Sequence, residues 1–375
     1  MPPERSEGRL FNASGRARQL YASPLFAIGP SEPGPAIRRG ALLAVPIGLT
    51  LILELGFDDP TQGAIAAGAL INGFPGMDAP ARPRAAWQAA TAPLIGLAAC
   101  LGVLSSQTAP TAVLALGLLG LLAGYCFAVS LRLAIVGLSV TLAMMIAQGL
   151  FLPISDALPA LLWGTFGALT QVVWSLIVWV VFDRAADEPE KAWNGGAAVA
   201  ALRSNLSLKS ESARHGIRFG AALAAGVAAY WILGLHQHGY WIPLTILFVM
   251  RPDREETDHR LVLRALGTVL GLILATSLAE IFAGDDLALG IVLTVAAALS
   301  FGLLTVQYAL FTAAITTFVV VMSTTVGEGA IDAAGQRALG TALGIAIAFA
   351  AWRLWSNPRG AVDLAGQPNV GGAES

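Results

Sequence analysis

Apolar residues in this chain do not alternate with polar ones; they run in long blocks. A helix needs about 20 such residues to cross a bilayer. Blocks of that order cover 39–56, 86–106, 110–129, 132–152, 158–182, 217–235, 264–283, 286–302, 305–325 and 335–355. Two shorter blocks, 61–75 and 239–250, sit between longer ones. Apolar residues on every side of a helix mark one surrounded by lipid or other helices. The pattern therefore predicts an all-α, polytopic membrane protein with about 12 transmembrane helices.

Composition agrees. The chain is 56% hydrophobic and 12% charged, against about 25% charged for an average soluble domain. The net charge of −2 says little, because its distribution matters more. With twelve spans and the N-terminus inside, 21 of the 22 basic residues fall on one side, the exception being Arg337. The positive-inside rule makes that side the cytoplasm and places both termini there. Residues 1–36 and 357–375 read as flexible cytoplasmic tails and 184–216 as a cytoplasmic linker. Between them lie two six-helix membrane blocks, 37–183 and 217–356. Cys100 and Cys126 fall inside apolar spans, where they read as small buried hydrophobes.

The two blocks echo each other. IRRGALLA (37–44) returns as IRFGAALA (217–224), and Arg84 matches Arg264 at the same offset. Six spans return a chain to its starting side, so these halves read as parallel repeats. A second echo is nested inside the later block: RALGTVLG (264–271) returns as RALGTALG (337–344). Those copies begin spans three apart, so they enter from opposite faces, as in a 3+3 inverted repeat. Nested repeats of this sort recur in secondary transporters. WGTFGA (163–168) is the corresponding stretch of the earlier block.

Within the repeated phrase, Gly267 and Gly271, like Gly340 and Gly344, are spaced for one helix face. Small residues there let helices approach closely. Thr268 and Thr341 can bond across such a contact or back to their own helix. Arg264 and Arg337 stand where their apolar spans begin. They read either as partners of nearby carboxylates (Asp253, Glu255, Glu256 and Asp258 for one, Glu328 and Asp332 for the other) or as ligands for a carboxylate substrate at a helix N-terminus. The short spans point to the same region, because short or Gly/Pro-interrupted segments at matching places in two halves mark transport sites. The second is GYWIPLTILFVM (239–250), with Tyr240 and Trp241 at its start and Arg251 just beyond its end. The two aromatics suit either an aromatic ligand or the membrane interface. His236 and His238 offer a titrating group on the outer side. Candidate substrate-binding residues are thus Arg264, Arg337, Tyr240, Trp241, Arg251, Thr268 and Thr341.

Over HGYWIPLTILFVMRPDREETDHRLVLRALGTVLG (238–271) the sequence resembles the fusaric-acid-resistance (FUSC) family, which includes aromatic acid exporters. Tyr240, Trp241, Pro252, Thr257, Arg260, Arg264, Gly267, Thr268 and Gly271 fill the places of the family pattern. The likeness is looser over 217–355. The first half departs from it: Thr61 and Gln62 stand near the Tyr-Trp place, and Trp87-Gln88 replaces Gly-Thr. The resemblance implies export of small anionic aromatic acids across a bacterial inner membrane, with a periplasmic adaptor and self-association as further expectations. An anion channel and a non-transporting membrane scaffold are the competing readings. No HExxH, GxSxG or Walker-type loop occurs, so an enzyme is not expected. No metal-ligand spacing or cofactor motif appears, and the basic residues follow topology, so nucleic acid is not an expected partner.

Overall fold

The structure, a computed structural model, describes residues 33–57, 61–183, 195–208, 210–235, 238–325 and 327–354. His236, Asp58, Asp59, residues 1–32 of the expected 1–36 tail and all of the expected 357–375 tail lie outside the described residues, while 33–36 are helical. Every regular element among the described residues is helical. In chain order these are α1 (Pro33–Phe57), α2 (Thr61–Asn72), α3 (Ala81–Ser105), α4 (Ala109–Tyr125), α5 (Leu131–Gly149), α6 (Ala157–Val178), α7 (Gly195–Ser204), α8 (Glu211–Ile232), α9 (Trp241–Val249), α10 (Arg254–Ile281), α11 (Asp286–Leu303), α12 (Tyr308–Thr325) and α13 (Ala330–Leu354).

Nine of these are long and apolar enough to cross a membrane: α1, α3–α6 and α10–α13. The helices that fall short do so for visible reasons. At 12 and 9 residues, α2 and α9 are too short. The first turns of α8 carry Glu211, Arg214, His215 and Arg218. The exterior is apolar in the way lipid requires. Leu114, Leu118 and Leu122 on α4 are about as exposed as Leu266, Val269 and Ile273 on α10, all near 60%. In water such stripes would be an aggregation hazard.

Helix starts are fixed locally. The Thr108 side chain accepts from the Thr111 N–H at α4, and Ser130 from Leu133 at α5. Asp253 and Asp285 do the same for Glu256 and Ala288, opening α10 and α11. Each such cap satisfies a donor that the helix itself leaves open.

The packing has an exchange pattern. Inside each half, α3 packs on α5 and α6, and α10 on α12 and α13; α2 lies on α6, and α9 on α13. Between halves, α1 packs along α11, and α8 along α4. Replacing α1–α6 by α8–α13 in order turns each of these pairs into another on the same list. The two seams use the same device: a Cβ on Gly40 of α1 would meet the Gly302 nitrogen of α11 at 2.6 Å, and one on Gly220 of α8 would meet the Gly117 carbonyl of α4 at 2.5 Å.

Candidate functional site

The short helix α9 is the centre of the second half. At about 1.5 Å per residue its nine residues extend only ~13.5 Å. Trp241 through Leu247 and Val249 are all buried, so it has no face toward lipid. Pro243 sits in the first turn, where its missing N–H costs nothing. Pro252 stops the run, because a residue before proline avoids the helical region; Met250 is already extended. Arg251 then closes the end. Its Nη1 donates to the Met250 and Leu247 carbonyls at 2.8 and 3.4 Å. Burial, followed by the neighbouring Arg260, brings this guanidinium down to about 9. Of the candidate residues, Arg251 thus uses its donors on α9 itself.

Two helices bring arginines to α9. Arg264 of α10 lies over the Phe248 ring, 5.4 Å from its centroid, and Arg337 of α13 over Trp241 at 5.6 Å. Both distances are within cation–π range. Both arginines are 0% exposed. The Arg264 charge acts on Arg337, and Tyr308 stands beside both. The Tyr308 hydroxyl donates to the Phe248 carbonyl at 3.1 Å. It faces Arg264 without meeting hydrogen-bond geometry.

The glycines of the repeated phrase set these distances. A Cβ on Gly267 or Gly271 would meet Thr312 Cβ at 2.6 Å or Thr316 Cβ at 2.7 Å on α12. One on Gly340 or Gly344 would meet Trp241 Cβ at 2.8 Å or Thr245 Cβ at 2.6 Å on α9. The two copies of one phrase therefore seat two different short-range contacts around the same interior.

Two expectations fail here. Neither arginine is at a helix end. Arg264 stands ten residues after the start of α10, and Arg337 seven after the start of α13, about 15 and 10 Å along their axes. The charges from Arg254 to Arg260 before Arg264, and Asp332 before Arg337, lie in first helical turns rather than loops, while Glu328 precedes α13. In α10 they hold themselves helical through i,i+4 pairs: Arg254–Asp258 at 3.6 Å and Arg260–Glu256 at 2.9 Å. The expected carboxylate partners are likewise engaged elsewhere. Glu256 serves Arg260, Asp253 caps α10, and Glu328 pairs with His238 at 2.7 Å.

What remains is a set of buried donors. Among the described residues, Nε, Nη1 and Nη2 of both Arg264 and Arg337 have no hydrogen-bond partner. Neither do Trp241 Nε1 or the hydroxyls of Thr268, Thr312, Thr316 and Thr341. A buried unpaired donor costs about 1–3 kcal/mol, more when charged, and native proteins hold few of them. Every group in this set can donate, and only hydroxyls can accept. The arrangement is complementary to an anion. Tyr240 is placed differently: it packs against Gly149 of α5 and edge-on to Trp241, with centroids 5.8 Å apart. Trp241 is stacked on its other side by His238 at 4.3 Å.

Thr312, Thr316, Tyr308 and Phe248 belong to this interior and were not singled out from sequence. The two threonines did leave a trace, as a polar pair four apart inside the apolar run FTAAITTF. Among the described residues no group of three His, Cys, Asp or Glu side chains could hold a metal.

The chain is thus a polytopic, all-helical membrane protein with a buried, donor-lined interior in its second half. Residues 220–351, which contain that interior, match the family described as fusaric acid resistance protein-like. Inner membrane protein YccS of Escherichia coli K12 is 38% identical over 160 residues, covering 41% of this chain and 22% of that protein. The Neisseria gonorrhoeae protein ORF2 is 32% identical over 159 residues, 41% of this chain and 38% of its own length. Protein YhfK of E. coli K12 is 42% identical over 76 residues, 20% of this chain and 11% of that one. The chain therefore spans less than half the length of these relatives. No solved structure matches it.

Proposed function

We propose that the protein exports organic acids, aromatic carboxylates in particular, across a bacterial inner membrane. One observation carries the reading: Arg264 and Arg337 are buried without hydrogen-bond partners among the described residues, within a lining that otherwise donates hydrogen bonds. A carboxylate takes bidentate bonds from arginine, and the Trp241 and Phe248 rings offer flat surfaces beside each charge. The family match and the inner-membrane relative support transport and location. Twelve crossings are part of this proposal, as two parallel six-helix repeats (37–183 and 217–356), each an inverted 3+3, with both termini and the 184–216 linker cytoplasmic. The exchange pattern of helix packing and the one-sided arginines support it. A periplasmic adaptor and self-association complete the proposal.

Export of an anion from a negative-inside cell is downhill by about 2.3 kcal/mol per charge per 100 mV, so no buried acid is required for coupling. A proton gradient is the alternative driving force; His238, paired with Glu328 at 2.7 Å, stacks on Trp241. Cells loaded with radiolabelled aromatic carboxylates test the reading. Saturable efflux should be lost in a null strain and in Arg264→Ala and Arg337→Ala proteins that still reach the membrane. Equal efflux from wild type and null for every acid would refute it. The same arginines would also suit an anion channel, which would show flux without saturation.

A further inference from the structure

A second cationic site lies in the first half, away from α9. At the end of the bundle where α1 and α3 begin and α6 finishes there is a cavity of about 620 Å³. Arg38 and Arg39 of α1 and Arg84 of α3 line it, with Asp78, Leu42 and Phe182 among their neighbours. Its volume is in the 300–1,000 Å³ range of small-molecule sites, more than a simple inorganic ion would fill.

Among the described residues its lining carries three arginines and one carboxylate. That carboxylate is Asp78, whose Oδ2 is bound by Arg132 at 3.2 Å. The positions of the lining arginines are set by the scaffold. Arg84 is 5% exposed and its Nε donates to Ser175 at 3.1 Å. Arg39 reaches the Met77 carbonyl at 3.4 Å, while Arg38 is exposed. The backbone adds to the field, since Pro80 provides no side-chain cap for α3 and a helix start is electropositive.

The other wall is apolar: Leu42, Val178 and Phe182. Phe182 and the adjacent Val181 are more than 60% exposed, toward the surface that lipid covers. The site thus has a cluster of guanidinium groups on one side and an opening toward acyl chains on the other. It stands at the end of the bundle that the arginine distribution assigns to the cytoplasm. Basic pockets between helices at that level suit anionic lipid headgroups.

We propose that this cavity binds a phosphate group, as the headgroup of an anionic phospholipid or as a soluble phosphate ester, through Arg38, Arg39 and Arg84. A phosphate has more acceptor oxygens and more charge than a carboxylate, and so can engage several guanidinium groups together. This does not depend on the transport reading.

Thermal melting of the full-length protein in neutral detergent tests it, titrating phosphatidylglycerol, phosphatidylcholine or glycerol 3-phosphate. Wild type should melt higher with phosphatidylglycerol than with an equal fraction of phosphatidylcholine. Arg38→Gln with Arg39→Gln should weaken that half-saturation about tenfold or more, as loss of charge-assisted bonds predicts. Arg264→Gln should retain it. Stabilisation by glycerol 3-phosphate as well would make the ligand a soluble phosphate; stabilisation by the lipid alone would make it a headgroup. Equal melting of wild type in all three ligands would overturn the proposal without any variant. So would an effect of phosphatidylglycerol that the double variant keeps in full.

Discussion

The two halves of this molecule treat buried polar groups in opposite ways. In the first, they bond to one another and to the backbone across helices. Arg84 donates to Ser175, and Ser175 to Gln88 at 2.7 Å. Asn72 Nδ2 donates to the Gln88 and Ala168 carbonyls at 3.1 and 2.8 Å, and Gln171 to the Leu43 carbonyl at 2.7 Å. What is left over there has both characters: Asn72 Oδ1 and Gln171 Oε1 accept, while Gln88 Nε2 donates. In the second half the groups left over on Arg264, Thr268, Thr312, Thr316, Arg337 and Thr341 can all donate, two of them charged. One residue accounts for much of this. Aligning WGTFGA with LGTALG puts Leu161 at the place of Arg337. A second lies at Gln88, which stands where the later half has Thr268 and fills its interior with an acceptor for Ser175. The lesson is that related packing spends most of its buried polar groups on one another in one half and leaves a cluster of donors without hydrogen-bond partners in the other.

Replacing Arg337 with the first half's residue, Arg337→Leu, should break the contrast most. It removes a buried charge that has no partner, so melting in detergent should hold or rise. Saturable efflux, measured beside it, should fall by 100-fold or about that, the scale of a lost charged hydrogen-bond pair. A stability loss with efflux intact would reverse the assignment of roles. Arg84→Leu is the opposite case. It strips Ser175 of the donor that Arg84 supplies and should cost about 1–3 kcal/mol, read as a lower midpoint in thermal melting. Gly344→Ala drives a methyl into Thr245 and the Ile242 carbonyl, both 2.6 Å from its Cβ position. Overpacking of this kind costs about 1–3 kcal/mol, with efflux per folded molecule also reduced as α13 shifts from α9. Smallest is Thr312→Val. Its hydroxyl has no hydrogen-bond partner among the described residues, so stability should be unchanged while the half-saturating acid concentration rises about two- to tenfold. An unchanged half-saturation would remove α12 from the site.

How much of this was legible beforehand varies by element. Nine of the ten long apolar blocks map onto the nine long apolar helices, because length and hydropathy alone decide them; the tenth, 217–235, falls on α8 with its charged first turns. The short α9 was visible through Pro243, Pro252 and its length. The start of α10 at Arg254 was not, since Arg254, Asp258, Glu256 and Arg260 look like loop charges until their i,i+4 pairing is seen. For the same reason Arg264 was taken for a helix-end residue. Thr312 and Thr316 could not be told from threonines bonded to their own helix, as Thr317 is to the Ala313 carbonyl at 3.0 Å. Whether a hydroxyl is satisfied is a tertiary property that spacing does not encode.

Under the proposed function, the mutual repulsion of Arg264 and Arg337 also turns the melting of the folded protein into a readout of anion binding. An anion that answers both charges binds only the folded state, so mass action alone stabilises that state, by about 2.7 kcal/mol at a hundredfold excess over the dissociation constant. A library of acids could therefore be ranked by melting curves before any flux is recorded, and Arg337→Leu protein would serve as the blank.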